Sequence, residues 1–93
     1  MIIGSCEIEL IIYNANSLKE KRHVIKSIIE RLKNRFNISI CEVGEHDKWQ
    51  KSIIGLCTLS NSSKLVNETI DKIIDFMDND SRIEIIDIQR ETL

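Results

Sequence analysis

Proline is absent from the 93 residues, glycine occurs three times, and four aromatic side chains make up only 4% of the chain. So few aromatics cannot build a base-stacking surface, and no aromatic pair of the RNA-recognition type falls on a candidate central strand. The glycines form no phosphate-cradling loop, and no strand–turn–helix nucleophile motif is present. The three cysteines, Cys6, Cys41 and Cys57, are odd in number, widely spaced and free of any C-x-x-C pair. They read as reduced thiols of a cytoplasmic protein rather than a disulfide framework. No apolar run approaches the ~18–20 residues of a spanning helix, so no membrane partner is expected. The apolar start meets Glu7 and Glu9 too soon for a signal peptide. A formal charge of −2 argues against a globally basic nucleic-acid binder. The missing proline, with heavy use of isoleucine, asparagine and lysine, reflects AT-rich coding and carries no functional information.

What is present is the make-up of an ordinary globular domain, 42% hydrophobic and 30% charged. Residues 1–93 are enough for one self-supporting core and too few for two. Residues 2–13 read as a strand, with Ile2, Cys6, Ile8, Leu10 and Ile12 on one face and Ser5, Glu7 and Glu9 on the other. Asn14-Ala15-Asn16 is a turn, and Ser17-Leu18-Lys19-Glu20 is a capping box that opens a helix running to about Phe36. Leu18, Ile25, Ile29, Leu32 and Phe36 form its apolar stripe, widened by Val24 and Ile28.

Residues 38–43 are a short strand and residues 44–50 a polar turn. Residues 53–59 are nearly continuously apolar, as for a central strand covered on both faces. The N-cap candidates Asn61-Ser62-Ser63 open a second helix to about Asp78, with Leu65, Val66, Ile70, Ile73 and Met77 inward. Residues 83–88 form the last strand, whose apolar phase slips between Ile85 and Ile86, the mark of a bulge or an edge.

Strand, helix, strand, strand, helix, strand predicts a single α+β domain over residues 1–93, a ferredoxin-like βαββαβ sandwich. Right-handed crossovers place both helices on one face of a four-stranded antiparallel sheet of order 4-1-3-2. The other face is then uncovered, and its apolar residues predict a homodimer formed through it.

Charge is unevenly distributed. The first helical segment, residues 17–36, holds seven cations against two carboxylates, whereas residues 62–80 hold two cations against five. At ~100° per residue, Lys19, Arg22, Lys26 and Lys33 share about a 60° sector. Lys19, Lys21 and Arg22 crowd the first turn, where the helix dipole disfavours cations by roughly 0.3–1 kcal/mol each. Lys19, Lys21, Arg22, Lys26 and Lys33 are therefore the candidate anion- or RNA-binding residues; the alternative is a solvated basic face.

The turn at residues 42–50 holds the single Trp and one of the two His. Adjacent Glu45, His46 and Asp47 have acid–base chemistry in reach, but consecutive turn residues point apart and no second ligand cluster accompanies them. The turn is read as a hairpin with Asp47 capping backbone amides and Trp49 on a sheet edge or interface. His46, Asp47, Trp49 and Gln50 are kept as a candidate partner-binding loop. The pattern calls for no cofactor, no metal and no catalytic residue.

Ser17-Leu18-Lys19-Glu20-Lys21-Arg22, then Phe36-Asn37-Ile38-Ser39, then Glu42-Val43 and Asp47-x-Trp49-Gln50, resemble the YlxP-like proteins, the family called domain of unknown function 503. The resemblance spans the whole chain. It implies a ferredoxin-like fold and no particular activity. Because genes of the family often lie beside those for translation initiation and ribosome maturation, it also implies a role near RNA or a ribosome-associated partner. Glu45 stands where many members carry His, which weighs against His-dependent chemistry in this turn.

Overall fold

The computed structural model describes residues 1–93 and follows the expected order. The elements are β1 (Ile2–Ile12), α1 (Leu18–Arg35), β2 (Ser39–Gly44), β3 (Lys51–Ser60), α2 (Ser63–Asp78) and β4 (Ile83–Thr92). All strand pairs are antiparallel, and the sheet order β2-β3-β1-β4 is the predicted one read from the opposite edge.

Alternation along β1 sends Cys6, Ile8, Leu10 and Ile12 into the core, where they meet Ile54 and Leu56 of β3 and Ile40 of β2. Both helices pack on this same side: Ile25, Ile28 and Leu32 of α1 and Val66, Ile70, Ile73 and Met77 of α2 complete one continuous core. Gly4 lies under α2, and a Cβ there would meet Val66 Cγ1 and Ile70 Cδ1. Each helix begins at a serine cap, with Ser17 accepting the Glu20 amide and Ser62 the Leu65 amide.

Three expectations are corrected. Ile28, expected only to widen the α1 stripe, is fully buried, and Ile29, expected within it, is only partly buried. Leu65 is exposed: it precedes Val66 by one residue, so it lies about 100° off the buried stripe of α2. No element of the chain covers the second face of β3, so its near-continuous apolar run leaves Leu59 and Cys57 at the surface.

The phase slip in β4 is a bulge. Glu9 pairs with Asp87 but Leu10 pairs with Ile85, which leaves Ile86 without a partner. β4 also runs on to Thr92, beyond the apolar residues, because the long β1 offers backbone partners as far as Gly4.

Candidate functional site

Lys21, Ile25, Ile28 and Leu32 recur at spacings of four, three and four, so Lys21 occupies a core position of α1. It is fully buried. Its aliphatic stem lies in the core and its ammonium reaches Glu42 Oε2 of β2 at 2.9 Å and the Glu45 carbonyl at 2.6 Å. The Ser52 hydroxyl of β3 donates to the same Glu42 oxygen at 2.6 Å. Burial alone would push the Glu42 carboxyl up; the Ser52 hydroxyl and the Lys21 ammonium outweigh it and hold the group below its usual range. Lys21 is thus removed from the expected anion-binding set: a cation with its charge already satisfied inside the fold cannot offer it to a phosphate. The spacing to Ile25 was the signal that could have shown this.

The same network holds the turn after β2. Glu45 takes a left-handed backbone (φ 60°), and its carbonyl also accepts the Lys48 amide at 3.2 Å. The Lys48 ammonium stands 2.8 Å from Glu45 Oε2 and keeps that carboxyl low. His46 Nε2 lies 3.2 Å from the Glu42 carbonyl. Gln50 donates through Nε2 to the Ala15 carbonyl at 3.1 Å, tying the far end of the turn to the approach to α1. Asp47 caps no backbone amide, contrary to expectation, because the Glu45 carbonyl already closes the turn. Trp49 is 53% exposed, and His46 and Asp47 face solvent beside it.

On α1, Glu20 accepts the Asn16 amide. Lys19, Arg22, Lys26 and Lys33 are all exposed, in the sector that flanks the apolar stripe. Their acidic company is slight: Glu30 approaches Lys26 at 4.0 Å. Arg35 is used differently, its guanidinium lying 4.7 Å from the Phe76 ring centroid of α2.

The face of the sheet opposite the helices has two strips. Along β2 and β3 it shows Cys41, Val43, Ile53, Cys57 and Leu59. Along β1 and β4 the register brings Glu7, Glu9, Glu84, Asp87 and Glu91 to the same side. Lys51 answers Glu9 at 3.4 Å, and the Tyr13 hydroxyl donates to Glu84 at 2.8 Å. A shallow trough of about 750 Å³ crosses all four strands around Gly55, which pairs with both Cys41 and Glu7 and has the Val43 side chain packed over it.

The architecture defines a ferredoxin-like α+β protein whose conspicuous surfaces are one basic helix and one bare sheet face. The family model described as "Protein of unknown function (DUF503)" matches residues 3–90, and the chain belongs to that family. It is 42% identical over 83 residues to the "Uncharacterized protein YlxP" of Bacillus subtilis (strain 168), covering 89% of this chain and 90% of that one. Two solved structures share the fold at a TM-score of 0.53. The de novo designed protein Foldit4 is 14% identical, with 98% of this chain and 96% of that one covered. A dimeric ferredoxin-like protein from an uncultured marine organism is 9% identical, with 100% and 96% covered. No helix is long and apolar enough to cross a membrane.

Proposed function

We propose that this protein is a non-enzymatic binding protein of the cytoplasm that holds RNA phosphates, free or in a ribosome-associated partner, on the outer face of α1. The observation that carries this reading is the exposure of Lys19, Arg22, Lys26 and Lys33 in one sector while Lys21 of the same helix is buried and neutralised. A strip of free cations supplies affinity without sequence readout. The test is binding of single-stranded RNA as a function of salt. Four phosphate contacts give a log–log slope near −3, at about −0.7 per contact, and Arg22→Gln with Lys26→Gln flattens it by about 1.4. No affinity at low salt rejects the reading.

A homodimer through the open sheet face is the second reading, favoured by the exposure of Val43 and Leu59 there. Its difficulty is electrostatic. A twofold pairing that covers the whole face sets the carboxylates of β1 and β4 against their own copies or against the apolar strip, and the nearby cations Lys51 and Lys48 both stand at Glu9. Light scattering at micromolar concentration reads the outcome directly, a monomer of this chain's mass counting against it.

A further inference from the structure

The two faces of this sheet meet different fates. One is covered by two amphipathic helices, and the other is covered by nothing in the chain. The uncovered face divides along its length: Val43 and Leu59, 44% and 57% exposed, mark an apolar strip on β2 and β3, and along β1 and β4 carboxylates alternate with the partly exposed Ile3 and Ile11. Glu9 and Glu84 are already engaged by Lys51 and Tyr13, but Glu7, Asp87 and Glu91 make no ion pair. Between the strips runs the shallow trough, with the Val43 side chain packed over Gly55.

We propose that this open face is the docking site for a basic amphipathic helix of another protein, its apolar side seated on the β2–β3 strip and its Lys/Arg flank against Glu7, Asp87 and Glu91. Charge complementarity selects this occupant. A second copy paired sheet to sheet brings acids or bare sheet to the carboxylates, and RNA brings more negative charge. A helix fits in shape because helices cover the other face of the same twisted sheet, and α1 shows the required pattern, an apolar stripe flanked by cations. The site lies on the side of the sheet away from α1, so it stands or falls independently of RNA binding.

The probe is a synthetic 18-residue Leu/Lys amphipathic helix, with a Leu/Glu peptide of the same pattern as control, titrated against the intact protein by fluorescence anisotropy. Cys41 and Cys57 are exposed on the apolar strip and report occupancy by their alkylation rates. The Leu/Lys peptide is expected to bind, to slow alkylation of both thiols several-fold, and to weaken with salt; the Leu/Glu peptide is expected to do neither. Glu7→Lys with Glu91→Lys should cost about tenfold or more in affinity, as should Leu59→Asp alone. Peptide binding that ignores these variants, or that leaves both thiols as reactive as before, overturns the proposal. So does a stable dimer whose Cys57 is protected without peptide, since a second copy is then the occupant.

Discussion

Lys21 and Lys26 lie on one helix, five residues apart, and carry the same charge. Lys21 is sealed into the core against Glu42, whereas Lys26 stands in solvent with Glu30 at 4.0 Å. Five residues is about 500° of helical turn, a net rotation of about 140° that carries a side chain from the core stripe out to solvent. The comparison separates two uses of basic residues within one short run: one cation joins α1 to the β2–β3 hairpin, and its neighbours remain free for a partner. A count of positive charge cannot tell them apart, but helical phase can.

The largest effect is expected at Lys21. Lys21→Ala leaves Glu42 without its cation in a mostly buried site and should cost about 3–5 kcal/mol, read as a large fall in the urea midpoint. Lys21→Met with Glu42→Leu, which removes both charges and keeps the volume, should recover most of that loss. If Lys21→Ala were as stable as Lys26→Gln, the structural role assigned to Lys21 would be wrong.

Acid titration sharpens the same contrast. The Glu42 carboxyl has a lowered pKa in the fold, so its contribution is fully present above the unfolded value and is lost as pH falls through the folded one. The native protein should therefore lose stability on acidification below about pH 4.3, the ordinary glutamate value. In Lys21→Met the cation no longer offsets burial, so the Glu42 share of that acid-side loss should shrink. Equilibrium unfolding at pH 3 and pH 7 for both proteins measures the difference.

Smaller effects lie at the ends of the same network. Ser17→Ala removes the cap of α1 and should cost about 1 kcal/mol. Gln50→Ala frees the turn from the Ala15 carbonyl and should cost about 0.5–1.5 kcal/mol. Smallest of all, Arg22→Gln and Lys26→Gln should each change stability by less than about 0.5 kcal/mol. Their effect should appear in the salt dependence of RNA binding instead. Thermal melts on the four variants rank them.

Four motif residues used to recognise the family take part in holding this end of the fold: Ser17 as cap, Lys21 and Glu42 as ion pair, and Gln50 as tether. The motif is therefore legible as architecture before it is legible as activity. Trp49 and Asp47, from the same motif, have no such role; they are held in the open by a turn fastened at Glu45 and Gln50.

Local pattern determined a good deal by itself. Alternation and 3.6-residue periodicity specify the six elements and their order. Ser17 marks the start of α1, Ser62 is one of three adjacent cap candidates for α2, and the phase slip at Ile85 and Ile86 marks the bulge. Each of these depends on residues within a few positions of one another, so the chain carries the information in order. The tertiary structure alone decided that Lys21 meets Glu42, twenty-one residues on, and that Gln50 meets Ala15. It also decided that Glu7 and Glu9, near one end of the chain, share a surface with Asp87 and Glu91 near the other. Those encounters depend on strand register and on which face of the sheet the helices cover. Register joins residues that are remote in sequence, and only the assembled β1–β3 and β1–β4 pairs set it.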